Sequence, residues 1–257
     1  MNELQSSAPR FSLIIPAYNE EAYLPALLSS VAKARRRYAG GPDQIEVVVV
    51  DNASTDATAD LARSRGCRVV REDRRIIAAV RNAGARKAHG QVLVFVDADN
   101  LMHPDTFNAI DSSLATGKVI AGASGVKMQR MSPGIALTYA FMVPLVWLTG
   151  MDTGVVFCRR KDFEAVGGYN EDRLFAEDVQ LLWDLMRLGR KRGQKLARMT
   201  SAKAIFSTRK FDKYGDWHYL SLTPRMLYGL LFSKSSLNAL VRTYWYGNQR
   251  SKPDQKH

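Results

Sequence analysis

Two pairs of acidic residues stand next to apolar segments in a way that suggests chemistry. Asp97 and Asp99 directly follow the apolar residues Val92–Val96, and Glu177 and Asp178 precede a leucine-rich stretch. Side chains two positions apart on an extended chain point the same way, so we expect Asp97 and Asp99 to converge. Two neighbouring carboxylates stay ionised at low cost only beside a cation. The pattern favours Mg²⁺ or Mn²⁺ held together with a substrate phosphate, although a capping turn is the alternative explanation.

The scaffold that must position these acids alternates short apolar segments with helical patterns. The segments FSLIIPAYN, IEVVVVDNAS, CRVVRE and VLVFVDADN are typical of strands. Between them we predict a helix capped by Asn19, with Glu20 and Glu21 in its first turn, a helix around residues 56–65, and a helix closed by Gly90. Strands alternating with helices predict an α/β protein whose parallel sheet is covered on both faces.

The predicted strands end in polar residues, and such sheets bind ligands at the carboxyl ends of their strands. Asp51 ends the second strand, so we expect it at the same rim as Asp97. The chain has neither a G-x-G-x-x-G turn after its first strand nor a G-x-x-x-x-G-K-[ST] loop. The first absence weighs against a dinucleotide-dependent dehydrogenase, and the second excludes a P-loop NTPase.

The second half contains an apolar run and a second acidic motif. Met131–Met151 is 21 residues long without a charge, but prolines and glycines interrupt it. A single membrane span here would separate the two acidic motifs, so we expect a flap, an interfacial element or a subunit contact. After it, FAEDVQLLWDLMRLG predicts a helix, KAIFST a strand and RKFDKYGDW a loop.

Composition places the protein among ordinary globular proteins, but its charge is unevenly distributed. Hydrophobic residues make up 46% and charged residues 24% of 257, which excludes disorder throughout. Two cysteines and the lack of a secretory leader suggest a cytoplasmic protein. Residues 186–257 contain 16 Lys/Arg and 3 Asp/Glu, whereas residues 1–185 are nearly neutral. A basic end rich in Trp and Tyr predicts contact with an anionic surface, with solubility as the simpler alternative.

Four motifs in order resemble those of the family 2 glycosyltransferases, which are inverting enzymes of the GT-A fold. The motifs are IIPAYNEEAYLPALLSSV, VVVVDNASTDAT, VRNAGARKAHGQVLVFVDADN and FCRRKDFEAVGGYNEDRLFAEDVQLLWDLMRLG. The resemblance implies a GT-A type α/β fold, with a Rossmann-like, mostly parallel sheet flanked by helices. It places a catalytic domain at residues 1–210, followed by a basic, amphipathic, aromatic helical extension at 211–257 with a flexible last ten residues.

The resemblance also implies a role for each motif residue. Asp51 would accept a hydrogen bond from the base, which is compatible with an Asx cap over Ser54. Asp178 would be the catalytic base, with Glu177 as its orienting neighbour. The metal ligands would be Asp97 and Asp99, with a third contact left open because no histidine lies at the usual place. The nucleotide would contact Pro16, Ala17, Tyr18, Glu20, Asp51, Arg81, Asp97 and Ala98. The diphosphate would contact Arg209 and Lys210. The sugar or the acceptor would contact Asp152, Thr153 and Gly154.

The implied activity is transfer of a sugar from a UDP- or GDP-type donor to a hydroxyl acceptor, with Mn²⁺ or Mg²⁺ as cofactor. The basic end and the apolar run favour a lipid-linked acceptor or an anionic membrane face, and the run could also support a homo-oligomer. One alternative is a nucleotidyltransferase, but PAYNEEAY lacks the glycine-rich basic loop of such enzymes. Another is a non-catalytic protein that binds anionic membranes or nucleic acid, although no nucleic-acid module is recognisable.

Overall fold

A seven-stranded sheet forms the centre of the computed structural model, which describes residues 8–140, 154–173, 176–218 and 220. The strand order is β3-β2-β1-β4-β6-β5-β7. In chain order the strands are β1 (Phe11–Ala17), β2 (Ile45–Asp51), β3 (Arg68–Arg71), β4 (Val92–Phe95), β5 (Val119–Met128), β6 (Val156–Arg159) and β7 (Lys195–Phe206).

Helices cover both faces of this sheet. They are α1 (Leu24–Arg37), α2 (Thr58–Ser64), α3 (Ile77–Lys87), α4 (Thr106–Ala115), α5 (Arg160–Ala165), α6 (Glu177–Arg190) and α7 (Arg209–Tyr214), with a short 3₁₀ turn at Pro42–Gln44. Alternate side chains of β1 enter two apolar clusters: Leu13 and Ile15 pack with residues of α1 and α4, and Ile14 packs with residues of α3 and α6. All seven residues of β1 are buried, which explains its continuous apolar sequence.

The prediction of a mostly parallel sheet is confirmed. Strand β1 pairs in parallel with β2 and β4, β2 with β3, and β5 with β7. Strand β6 is the exception, since it pairs antiparallel with both β4 and β5. The carboxyl ends of β1, β2 and β4 therefore meet at one rim, as the alternation of strands and helices indicated.

Two predicted helix ends are wrong. Helix α1 begins at Leu24 rather than after Asn19, because the Asn19 side chain accepts the Thr55 backbone N–H at 2.8 Å and its backbone is left-handed at φ 51°. Helix α3 ends at Lys87 rather than at Gly90. Gly90 instead lies against β1, where a Cβ atom would come within 2.5 Å of the Phe11 carbonyl carbon.

The segment after β7 also differs from expectation. RKFDKYGDW was expected to be a loop, but its first six residues form α7, whose last turn ends at Gly215 with φ 88°. This helix runs across the predicted boundary at residue 210, and the division into two domains stays a prediction.

Of the apolar run, residues 133–140 are helical and 141–151 lie outside the described residues. Within the described part of the chain, no helix is long and apolar enough to cross a membrane.

The two outer strands of the described sheet are β3 and β7. Strand β3 has four residues, and its first and last, Arg68 and Arg71, are exposed. Strand β7 has twelve residues, of which Lys195, Thr200, Ser201 and Lys203 are exposed. Near its end, Ile205 pairs with Leu101 through two backbone hydrogen bonds of 2.9 Å, so the segment after β4 partly covers this edge.

Candidate active site

The carboxyl ends of β1 and β2 form a polar notch. Pro16 and Ala17 are the last, buried residues of β1, and the Ala17 carbonyl accepts the Asn52 N–H at 2.8 Å. Asp51 ends β2, is 5% exposed, and its Oδ1 accepts the Ser54 N–H at 3.1 Å. The Asx cap considered for Asp51 is therefore present. Beside it, the Arg75 guanidinium lies 3.9 Å from the centre of the Tyr18 ring, an arrangement that the sequence patterns did not indicate.

Asp97 and Asp99 occupy a turn at the end of β4. The strand ends at Phe95, and the Asn100 N–H donates to the Asp97 carbonyl at 3.1 Å, so the extended conformation used to predict their convergence is wrong. Buried Ala98 lies between them. The two carboxylates still influence each other, since burial first and then the charge of Asp97 raise the pKa of Asp99. A cation beside this pair would relieve that repulsion.

The described chain supplies one such cation in Arg81, which joins the two acidic motifs. Arg81 lies on α3 and is 5% exposed. Its Nη1 donates to Glu177 at 2.6 Å and to Asp178 at 3.0 Å, and its Nη2 donates to Asp97 at 2.9 Å. One guanidinium thus bridges three carboxylates. The solvated helix arginine considered as an alternative does not describe this side chain, which lies among carboxylates at the end of β4.

Asp178 lies in the first turn of α6, where the environment raises its pKa to about 7. Burial is the largest cause, and the charges of Glu177 and Asp97 act in the same direction. The positive charge of Arg81 and a hydrogen bond from the Tyr169 hydroxyl, at 2.9 Å, act in the opposite direction. A carboxyl group with this pKa exchanges protons readily near neutral pH, as a general base must.

Tyr169 is a site residue that the sequence reading missed. It is 2% exposed, its ring packs edge-on against Phe95 at 5.1 Å, and the Asn82 carboxamide holds its backbone N–H at 3.0 Å. The available signal was the Gly167-Gly168 pair, whose positive φ angles make the turn that leads into Tyr169. Burial and the Asp178 charge keep the pKa of Tyr169 well above its usual value, so its hydroxyl remains a donor.

A second arginine, Arg209 at the start of α7, binds the other carboxylate of the turn. Its Nε lies 2.8 Å from Asp99 Oδ2, and its Nη1 lies 2.7 Å from Glu20 Oε2. Lys210, the next residue, is close enough for its charge to lower the pKa of Asp99. Both predicted diphosphate residues therefore lie near the acidic turn. His218 stacks on Tyr214 with ring centres 4.7 Å apart.

The acidic turn offers two carboxylates to which a hard divalent cation could bind. Arg81 contacts one oxygen of Asp97, whose side chain is 43% exposed, so a cation can reach this carboxylate from solvent. No cluster of three or more His, Cys, Asp or Glu that could hold a metal occurs in the described part of the chain. Two carboxylates are what Mg²⁺ or Mn²⁺ commonly takes from a protein when phosphates and water complete its shell.

The predicted sugar and acceptor loop is described only at its end. Asp152 and Thr153 lie outside the described residues. The Gly154 N–H donates to the Ser124 carbonyl at 3.2 Å, and a Cβ atom at this position would come within 2.7 Å of the Ser124 hydroxyl. Gly154 thus packs directly against β5, and glycine is the residue that permits this approach.

Known proteins resemble this chain over most of its length. The family model described as Glycosyl transferase family 2 matches residues 12–191. A validoxylamine A glucosyltransferase from Streptomyces hygroscopicus subsp. limoneus is 36% identical over 126 residues, covering 46% of this chain and 27% of that protein. A PGL/p-HBAD biosynthesis glycosyltransferase from Mycobacterium bovis is 31% identical over 172 residues, covering 64% of each. The chain spans less than a third of the length of the first curated relatives it matches.

Solved structures share the architecture. The mannosyltransferase PcManGT from Pyrobaculum calidifontis, in complex with GDP-Man and Mn²⁺, superposes with a TM-score of 0.62 at 20% identity, covering 95% of this chain and 76% of that one. S. aureus TarS 1-349 in complex with UDP-GlcNAc superposes with a TM-score of 0.59 at 21% identity, covering 78% and 59%. At these identities the likeness concerns the fold, and it confirms the predicted GT-A type.

Proposed function

Because the chain belongs to glycosyl transferase family 2, we propose that it is a metal-dependent inverting glycosyltransferase. It moves a sugar from a nucleoside diphosphate donor to a hydroxyl group of an acceptor. The observation that carries this proposal is the position of Asp178, a carboxyl group with a pKa of about 7 that is joined through Arg81 to the acidic turn at Asp97. A proton acceptor therefore lies next to the place where a nucleotide diphosphate would bind.

Asp178 would act as the general base. It takes the proton from the acceptor hydroxyl as that oxygen attacks the anomeric carbon. The Tyr169 and Arg81 hydrogen bonds fix the carboxylate, and Arg81 also stabilises its ionised form. Attack from the face opposite the departing diphosphate inverts the anomeric centre. Glu177, held by the same guanidinium at 2.6 Å, orients Arg81 and thereby the base.

The notch at β1 and β2 would hold the nucleoside, and the acidic turn and α7 would hold the diphosphate. Asp51 would accept a hydrogen bond from the base, and Tyr18 with Arg75, whose guanidinium lies on the Tyr18 ring, would form one wall. When bound at Asp97 and Asp99, Mn²⁺ or Mg²⁺ would stabilise negative charge on the leaving diphosphate. The solved relatives with GDP-Man and UDP-GlcNAc support a GDP- or UDP-type donor.

Calorimetric titration with UDP, GDP, dTDP and CMP, each with Mn²⁺ and with EDTA, tests the donor site. We expect one nucleotide to bind with Mn²⁺ and to lose at least about tenfold in affinity in EDTA, since the cation links two anions. Asp99→Ala should reproduce the loss. Asp184→Ala is a matched control because Asp184 is a carboxylate on the same helix as the base, paired with Arg187. Binding of no nucleotide under any condition would refute the proposal.

We further propose that the acceptor is presented at an anionic membrane surface. Three large apolar side chains around the described helical segment 133–140 and the end of α7 are exposed: Met131 at 59%, Leu137 at 52% and Trp217 at 57%. The sequence that follows α7 has a net positive charge and is aromatic, with six Lys/Arg, two Asp/Glu and seven Phe, Trp or Tyr in residues 215–257. Apolar side chains next to a basic segment favour binding to anionic lipid interfaces.

Flotation with vesicles that contain or lack an anionic lipid tests this second proposal. We expect recovery with anionic vesicles and a clear decrease when Met131, Leu137 and Trp217 are all replaced by Gln. Trp183→Gln is the matched control, because Trp183 is also exposed, at 41%, but lies on α6. Equal recovery of the triple variant and the control would contradict a role for this surface.

A further inference from the structure

We propose that Arg209 is a positioning residue that exchanges with the divalent cation at Asp99, and that Glu20 is the anchor that retains it. This inference rests on the proposed function, because it concerns the same nucleotide site. The Arg209 guanidinium supplies positive charge at Asp99. When a cation and a nucleotide bind, Arg209 leaves Asp99 but stays on Glu20, and its freed nitrogen meets the diphosphate.

The contacts of Arg209 allow one partner to be released while the other is kept. Different nitrogens of the guanidinium contact the two carboxylates: Nε lies 2.8 Å from Asp99 Oδ2, and Nη1 lies 2.7 Å from Glu20 Oε2. The Tyr23 ring lies 5.0 Å from the guanidinium carbon and limits its movement on a third side. A planar guanidinium can bridge two acids in this way, whereas the ammonium group of a lysine is a compact point charge.

Glu20 is built as a fixed anchor. It is 3% exposed, and its backbone N–H donates to the Thr58 hydroxyl at 2.8 Å. Its carbonyl accepts the backbone N–H groups of Tyr23 and Leu24 at 3.0 and 2.8 Å. Removing one partner from a buried ion pair is costly, so the 2.7 Å contact between Arg209 and Glu20 resists being broken. We therefore expect Arg209 to remain bound to Glu20 whether or not it also contacts Asp99.

Asp99 lies in a different environment, because it shares a turn with a second acid. A divalent cation at this turn would face the Arg209 Nε that now touches Asp99 Oδ2, and like charges at that distance repel. The chain around Arg209 is tied to the same turn: the Ser207 N–H donates to the Asn100 carboxamide oxygen at 3.2 Å. Asn100 is 1% exposed. The guanidinium therefore has only a short distance to move between Asp99 and a diphosphate bound beside it.

The test measures Mn²⁺ binding without nucleotide, through the electron paramagnetic resonance signal of free Mn²⁺, and nucleotide binding at saturating Mn²⁺ by calorimetry. The nucleotide is the one that binds wild type most tightly among UDP, GDP, dTDP and CMP. For Arg209→Met we expect Mn²⁺ alone to bind about tenfold more tightly and the nucleotide about tenfold more weakly, which corresponds to one hydrogen bond to a charged group in each case. Glu20→Gln should weaken nucleotide binding because the anchor is lost.

Lys213→Met is the matched control, because it removes one positive charge from an exposed position of the same helix. We expect both affinities to stay at the wild-type values. Arg209→Lys keeps the charge but cannot bridge two acids, so its Mn²⁺ affinity should fall between wild type and Arg209→Met; this variant also serves if the Met variant does not fold. Equal Mn²⁺ affinity in wild type and both Arg209 variants overturns the exchange while the donor site stands. Failure of every variant, wild type included, to bind nucleotide with Mn²⁺ overturns the proposed function itself.

Discussion

Removing the Tyr169 hydroxyl should move the pH dependence of turnover. Tyr169 donates to Asp178 Oδ1 at 2.9 Å and favours the ionised form of this carboxyl group, whose pKa is about 7. In Tyr169→Phe the ring keeps its edge-on packing against Phe95 and its contact with Phe163. The hydrogen bond alone is lost, so the pKa of Asp178 rises further.

The size of the shift follows from the strength of that bond. A hydrogen bond to a charged group contributes about 1.5–3 kcal/mol, and the lower end applies here because the Asp178 side chain is 17% exposed and water replaces part of the bond. Since one pKa unit corresponds to about 1.4 kcal/mol, the pKa of Asp178 should rise by about one unit. A base must be deprotonated to act, so the acid limb of kcat/KM should move to higher pH by the same amount.

The assay is release of the nucleoside diphosphate from the donor that binds, measured between pH 5.5 and 9. Tyr38→Phe is the matched control: Tyr38 is a second buried tyrosine that donates to an aspartate, at 2.8 Å from Asp111, but lies away from the rim. We expect its acid limb to coincide with that of wild type. An unchanged acid limb in Tyr169→Phe would refute the assignment of Asp178 as the base whose ionisation controls the rate.

Three further variants test the base, a buried ion pair and a close backbone approach. Asp178→Asn should lower kcat by roughly 10²–10⁴-fold, since the general base is lost, while calorimetry shows nucleotide affinity within about twofold of wild type; retained turnover would exclude Asp178 as the base. Arg192→Met should lower the free energy of unfolding in urea by about 1.5 kcal/mol, because Asp162, 1% exposed, loses a partner at 2.6 Å but keeps Arg159 at 3.9 Å; a change below about 0.5 kcal/mol would contradict this pairing. Gly122→Ala should lower it by about 1–3 kcal/mol, since the new Cβ would come within 2.3 Å of the Ala197 carbonyl oxygen; unchanged stability would show that β5 and β7 separate easily at this point.

The sequence was informative where local patterns determine structure. The apolar runs before Asp51 and Asp97 predicted β2 and β4, and the leucines after Asp178 predicted α6, because burial on a sheet or along a helix leaves a period in the sequence. The common rim followed from the rule that parallel strands end at one edge. The proximity of the two acidic motifs could therefore be predicted without knowledge of any side-chain contact.

The remaining features depend on partners that are distant in the chain. Arg81 meets Asp97 and Asp178, which are 16 and 97 positions away, and no local pattern reports such a bridge. Arg209 meets Glu20 across 189 positions in the same way. Helix α1 starts late because Asn19 is engaged with Thr55 on another loop. Long-range hydrogen bonds of this kind decide which of several locally acceptable conformations is adopted.

The two outer strands of the sheet have a consequence for how copies of this protein behave in concentrated solution. An outer strand presents unpaired backbone groups that invite pairing with another molecule. Here the exposed charged side chains beside those groups are basic at both edges: Arg68 and Arg71 on β3, Lys195 and Lys203 on β7. Any strand-to-strand contact between two copies therefore brings positive charges together, and the repulsion acts against aggregation. Added salt screens this repulsion over about 10 Å at 0.1 M, so the protein should be least prone to self-association in dilute buffer.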